Sequence, residues 1–203
     1  MSNIIFQLVI TIIGAYLIGS IPTGYILVKL LTGQDIRTIG SGSTGATNVK
    51  RVLGTKYFFI VMALDAFKGA LPVILATYFT SAFANLGILP VLAAIFAILG
   101  HAKSIYLKFT GGKAVASGVG TLFALNWQVG IAVAVIWSAI TWFSKYVSLG
   151  SIIALACSPF LMLLVKAPIS YVIYTTIAAI GVIYLHRENI QRLKNGTENK
   201  VRN

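Results

Sequence analysis

Residues 40–51 read Gly-Ser-Gly-Ser-Thr-Gly-Ala-Thr-Asn-Val-Lys-Arg, a chemical outlier in a chain that is 58% apolar. Gly40, Gly42 and Gly45 let backbone N–H groups turn toward a small ligand without side-chain obstruction. The hydroxyls of Ser41, Ser43, Thr44 and Thr47 and the amide of Asn48 add donors and acceptors at the same place. Lys50 and Arg51 supply the positive charge that a phosphate or carboxylate needs. Such a run suits an anion cradle, and it also suits a solvated loop between two membrane helices. It is not a nucleotide P-loop, because the Gly-Lys-Ser/Thr ending is missing.

Two further polar segments carry comparable chemistry. Phe-Thr-Gly-Gly-Lys-Ala at 109–114 leads into a helix pattern rich in small residues. Gly111, Gly112 and Lys113 would there combine free N–H groups, the positive end of a helix dipole and an ammonium. The same small residues also let membrane helices pack closely. In the tail, His186, Asn189 and Arg192 recur at helical spacing, so one helix face presents His and Asn together. A basic helix that merely lies on lipid headgroups has the same composition. Ser148 and Ser151 read as helix-start caps or as ligand contacts. Asp65 and Lys68 stand three apart on one helix, where they neutralise each other and hold helices together. His101 has no carboxylate close in sequence and reads as structural. No His, Asp or Glu cluster has metal spacing, and the single Cys157 excludes a disulfide within the chain. No cofactor is implied.

The elements that must position these groups are membrane helices. Charged residues are only 10% of 203, against about 25% in a soluble domain. Sixteen Lys and Arg oppose four Asp and Glu, for a net charge of +12, which suits membrane lipids and anionic substrates on one face. A soluble basic face for nucleic acid is not evident. Apolar spans are expected at 4–31, loosened by Gly19, Pro22 and Gly24, and at 57–79, with Pro72 inside. Others follow at 87–100, 149–165 and 168–185, and an uncharged turn is expected at 81–86. The first segment lacks a cationic start and a cleavage pattern, so it reads as a retained span.

Residues 114–143 are too long for one ordinary span, at about 45 Å as a single helix. Split near Asn126 and Trp127, they give two short helices and place all three basic regions on one face, as the positive-inside rule prefers. The expectation is an all-α integral membrane protein of seven transmembrane helices, several of them short or kinked. Its N-terminus is outside and its C-terminus cytoplasmic. Residues 1–203 then form a single polytopic membrane domain, with segments 32–56, 101–113 and 186–203 on the cytoplasmic face.

The motifs together resemble the signatures of the bacterial acyl-phosphate:glycerol-3-phosphate acyltransferases, the PlsY family. They are the stretch 40–51, Leu-Asp-Ala-Phe-Lys-Gly at 64–69, Gly-Gly-Lys at 111–113 and His-Arg-Glu-Asn-Ile-Gln-Arg-Leu at 186–193, in the family's order. The resemblance implies an enzyme of the bacterial inner membrane. Its reaction moves a fatty acyl group from acyl phosphate to the 1-hydroxyl of sn-glycerol 3-phosphate. The products are lysophosphatidic acid and phosphate, an early step of phospholipid biosynthesis. It implies that Lys113, Arg51, His186 and Asn189 are catalytic. Gly40, Ser41, Gly42, Ser43, Gly45, Thr47, Asn48, Gly111, Gly112, Ser148 and Ser151 would bind substrate.

His186 could act as general base by residue type. The resemblance instead implies that it holds phosphate while a substrate phosphate oxygen takes the hydroxyl proton. Two positions depart from the family's pattern. Ser43 stands where Asn is more usual, and His101-Ala-Lys-Ser replaces His followed by an aromatic-Pro sequence. Neither histidine has an Asp after four intervening residues, the pair that activates the hydroxyl in commoner glycerolipid acyltransferases; Tyr106 and Gln191 stand there instead. The alternative function is a small-anion membrane transporter, whose broken mid-membrane helices and paired repeats are not evident.

Overall fold

The computed structural model describes residues 2–78 and 87–201, and among these every regular element longer than a single turn is an α-helix. The turn expected at 81–86 lies outside the described residues. The first apolar segment is α1 (Ser2–Ser20) and α2 (Thr23–Thr32), broken at Ile21-Pro22. Pro22 has no N–H to give to the helical ladder. The carbonyls beside the break find side-chain donors instead: Lys68 Nζ donates to Ile21 O at 2.6 Å, and Ser104 Oγ to Ser20 O at 2.6 Å. Lys68 lies on α4 (Thr55–Tyr78), where it also pairs with buried Asp65 at 2.8 Å. The Asp65 carboxylate accepts from Thr23 Oγ1 at 2.5 Å as well. The intramembrane ion pair is therefore the pin that holds a broken helix against its neighbour, with its remaining hydrogen bonds satisfied.

Then come α3 (Ala46–Leu53), α5 (Ile88–Ala102), α6 (Val115–Leu125) and α7 (Trp127–Ser144). α5 packs on α1 and α4, and α6 packs on α4. The α4–α6 approach is close because Gly69 faces the Ser117 carbonyl and Gly120 the Ala66 carbonyl, with no room for a Cβ at either. Residues 114–143 do divide in two at Asn126, whose extended backbone ends α6 while its Oδ1 accepts from Val129 N at 3.0 Å to cap α7.

The segment expected as one helix over 149–165 is instead α8 (Val147–Ala156) and α9 (Ser158–Leu164). Pro159 cannot donate to Leu155 O, and Ser158 Oγ takes that carbonyl at 2.7 Å. Last come α10 (Ile169–Leu185) and α11 (Arg187–Lys194), bent by 59° at His186.

Among the described residues, four helical segments can cross a membrane by length and composition, Ile4–Thr32, Thr55–Tyr78, Trp127–Ser144 and Val147–Leu164, and a fifth if α10 and α11 count as one. The apolar α5 and α6 are shorter, at 15 and 11 residues. They extend about 22 and 16 Å, short of the ~30 Å hydrocarbon core. Small residues such as Ala93, Ala94, Ala97 and Ala154 fill the interior, while Phe6, Val135, Trp142 and Ile177 face outward. Large apolar side chains outside and small ones within are what a lipid-solvated bundle requires.

Candidate active site

The glycine-rich stretch is a built loop rather than a slack one. Asp35 caps the turn Ile36–Thr38 by accepting from Arg37 N at 2.9 Å, and its carboxylate also takes the Arg37 guanidinium at 2.6 Å. That guanidinium holds the Asp35 carboxyl down to about 2. Asn48, on the first turn of α3, reaches back across the loop. Its Nδ2 donates to Ile39 O and Ser43 O, both at 2.9 Å, and to Ile36 O at 3.3 Å; its Oδ1 accepts from Ser41 N at 3.2 Å. Gly40 lies over this amide at φ +60, where a Cβ would overlap Asn48 Oδ1. The Asn48 amide is therefore fully occupied in shaping the loop, and with 1% exposure it presents no surface to a ligand.

The other residues of the stretch divide by exposure. Ser43 Oγ is turned to Gly45 N at 3.3 Å. Ser41, Thr47 and Arg51 are exposed, and among the described residues no hydrogen bond or ion pair holds the Arg51 guanidinium. Among the described residues no acceptor meets the N–H groups of Ala46 and Thr47, which open α3, so donors and a cation lie together at this rim.

The second and third polar segments meet. Lys113, just before α6, donates from Nζ to Asn189 Oδ1 on α11, 76 residues away. His186, at the bend between α10 and α11, is 3% exposed, and its Nδ1 lies 2.8 Å from Val182 O. A carbonyl only accepts, so Nδ1 carries the proton and Nε2 keeps a lone pair. Burial, reinforced by the Lys113 charge and opposed by the Val182 bond, lowers its pKa to about 4. Lys113 is itself lowered, first by burial and then by the Arg192 and Arg51 charges, against Glu188 and Glu198. Arg51 is thus near enough to bear on Lys113, which links the first segment to the other two. A crowded, partly desolvated set of cations is an environment that an anion relieves.

At the centre of the cluster stands a residue that motif reading passed over. Glu198 Oε1 accepts from Asn189 Nδ2 at 2.7 Å and Ser148 Oγ at 2.8 Å, and its Oε2 accepts from Arg192 Nε at 2.7 Å. Its side chain is 6% exposed. Burial alone would raise this carboxyl; the hydrogen bonds from Asn189, Arg192 and Ser148 outweigh that and lower it. Its signal is compositional: four carboxylates stand among sixteen Lys and Arg, so each is a candidate partner for a cation.

Ser148 therefore joins the cluster, whereas Ser151 does not. The Ser151 hydroxyl donates to Val147 O at 2.8 Å and accepts from Trp137 Nε1 at 3.2 Å, which ties α7 to α8. Gly111 and Gly112 lie against His101, Gly112 through a bond from its N–H to His101 O at 3.1 Å.

Known proteins carry the same architecture. The family model described as glycerol-3-phosphate acyltransferase matches residues 9–196. A glycerol-3-phosphate acyltransferase of Nostoc sp. is 44% identical over 200 residues, covering 92% of this chain and 88% of its own. Glycerol-3-phosphate acyltransferase 2 of Moorella thermoacetica is 45% identical, covering 95% and 96%. The crystal structure of PlsY, an integral membrane glycerol 3-phosphate acyltransferase, superposes in its glycerol 3-phosphate form with a TM-score of 0.90 at 35% identity, covering 96% of each chain. Its lysophosphatidic acid form gives 0.88 at 33%, covering 96% and 95%. With nearly the whole length matched in sequence and in backbone, this chain belongs to the glycerol-3-phosphate acyltransferase family.

Proposed function

We propose that this membrane protein acylates the 1-hydroxyl of sn-glycerol 3-phosphate with the fatty acyl group of acyl phosphate. The products are 1-acyl-sn-glycerol 3-phosphate and phosphate. Family membership supports the acceptor and the lipid product, since the related PlsY is described in forms with glycerol 3-phosphate and lysophosphatidic acid. The observation that carries the reading is the meeting of Lys113, His186, Asn189 and Ser148 in one partly buried spot, with Arg51 electrostatically coupled to it. Both substrates bring phosphates, and this spot offers cations, neutral donors and a desolvated setting in which each is worth more than in water.

The acceptor hydroxyl oxygen attacks the acyl carbonyl carbon, and the bond from that carbon to the phosphate oxygen breaks. Lys113 and Arg51 balance phosphate charge as it grows on the leaving group, while Asn189 and Ser148 orient the reactants. The hydroxyl proton needs an acceptor. His186 Nε2 has a lone pair, yet at about 4 it is a weak base. A phosphate monoester, with its second ionisation near ~6, is the stronger one. The proton therefore passes to a substrate phosphate oxygen, and His186 Nε2 accepts a hydrogen bond from a substrate hydroxyl rather than abstracting its proton. Ser41, Thr47 and the opening N–H groups of α3 form the rim that admits the second phosphate, with Gly40, Gly42 and Gly45 shaping it.

The same reading places seven crossings in the bacterial plasma membrane, N-terminus outside, with 32–56, 101–113 and 186–203 at the cytoplasmic face. The break at Asn126 and the positive-inside rule support it. Purified protein should turn over acyl phosphate with glycerol 3-phosphate and be essentially inert with acyl-CoA at equal concentration. Comparable rates with both donors sink the donor assignment.

A further inference from the structure

We propose that His101 is the positioning residue of the anion site: its imidazole and its carbonyl together are the template on which Gly111, Gly112 and Lys113 are laid, and Asp65 is the backing of the ring. This rests on the acyl-transfer reading for its kinetic part only.

His101 ends α5, is 5% exposed and touches the loop from three directions. Its carbonyl accepts from Gly112 N at 3.1 Å. Its ring meets Gly112 edge-on through Nε2, so that a Cβ there would overlap that nitrogen, and a Cβ on Gly111 would overlap the His101 carbonyl. Its Nδ1 lies 2.9 Å from Ser117 Oγ, which is wholly buried on the first turn of α6. One residue thus fixes both the entry to Lys113 and the helix that leaves it.

The ring is itself held from behind. Asp65 Oδ1 stands 3.7 Å from Nδ1, and the same carboxylate is anchored by Thr23 and by Lys68. These three residues bring α2 and α4 to bear on a loop that neither touches through a site residue. Ala114, immediately after Lys113, adopts a left-handed φ of 57 although it carries a Cβ. A backbone so bent persists only where its surroundings impose it, and the imidazole and its partners are those surroundings. The glycines are then required because His101 occupies the space of their side chains, which is a different need from backbone exposure toward a phosphate.

The test is a cycle of variants. Gly112→Ala should raise KM for glycerol 3-phosphate by roughly a hundredfold, the scale of a ~1 Å misplacement. In a His101→Ala background the same change should cost about tenfold or less, because the overlap is gone. If Gly112→Ala costs the same factor in both backgrounds, the template idea is wrong. His101→Asn, whose amide can reach Ser117 as Nδ1 does, should recover most of the loss seen in His101→Ala, with kcat moving less than KM.

Should the wild-type protein show no turnover with acyl phosphate, the function reading fails, but the template is still decided by hydrogen exchange of peptides spanning 108–117. Those amides should exchange faster in His101→Ala and in Ser117→Ala, and near the wild-type rate in His101→Asn. Unchanged exchange in a folded Ser117→Ala overturns the proposal, whether or not His101→Ala folds, and so does exchange in His101→Asn as fast as in Ser117→Ala.

Discussion

Removing the Glu198 carboxylate tests whether the tail completes the candidate site. In Glu198→Ala, Ser148 Oγ and Asn189 Nδ2 lose the acceptor they share while Ser148 and Asn189 remain 6% and 8% exposed. Each buried donor left unpaired costs about 1–3 kcal/mol. Arg192, with its side chain 35% exposed, re-solvates, and that surface-type pair adds about 0–1 kcal/mol. The sum is about 4 kcal/mol, and at roughly 2–4 °C per kcal/mol for a chain of this length the melting midpoint should fall by about 8–16 °C. Glu198→Gln keeps an oxygen for Ser148 and Asn189 but turns an amide NH2 toward the Arg192 N–H. It should lose only about 1–2 kcal/mol. Melting in detergent followed by tryptophan fluorescence, with turnover on the same samples, reads both. Turnover should fall in the same order, because Asn189 loses the partner that orients it toward Lys113. An unchanged midpoint in Glu198→Ala, or a Gln variant less stable than Ala, would refute this account of the tail.

Lys113→Ala should leave the protein folded, since burial already disfavours its charge, and lower turnover by roughly a hundredfold, as removed transition-state donors do; normal turnover at normal expression removes Lys113 from the mechanism. Ala114→Gly relieves about 1–2 kcal/mol of left-handed strain but adds about 0.5–1 kcal/mol of unfolded-state freedom and loses a buried methyl worth about 0.8 kcal/mol. Its midpoint should therefore stay within a few degrees of wild type while the freer hinge lowers kcat, and a large loss of stability contradicts that balance. His186 has its pKa depressed to about 4, so below its ordinary value of 6.5 the unfolded chain binds the extra proton first. Stability should fall as pH drops from about 6.5 to about 4, and His186→Asn, which can still donate to Val182 O, should flatten that fall; an unchanged slope refutes the burial argument. Glu198 acts in the same sense: its stabilisation is present above the ordinary carboxylate value and lost as pH falls through its lowered one.

What the sequence reveals here follows the range of the forces involved. Local chemistry is legible: Pro22 breaks the first segment, Asn126 divides 114–143, and Lys113 and Asn189 meet as members of separate motifs. A proline alone does not mark a break: Pro22 separates α1 from α2, whereas α4 runs on through Pro72. Pro159 escaped because the apolar run continues across it, and only the hydroxyl of Ser158 on the orphaned carbonyl shows that the helix has ended. Side-chain direction is not legible. Asn48, Ser148 and Ser151 carry equal promise as residue types, yet Asn48 closes its own loop, Ser151 faces Trp137, and Ser148 alone meets the site. A spacing of three along α8 separates two serines by nearly one turn, and which of them faces the cluster depends on how α8 rolls against α7 and α10, a matter of packing. The same holds for His101: no nearby carboxylate marks it in sequence, because its partner Asp65 arrives from another helix. In a bundle where charges are few, a polar side chain is satisfied by whichever helix brings a partner within reach. The motif therefore tells what a residue can do, and the packing of neighbours decides whether a ligand ever meets it.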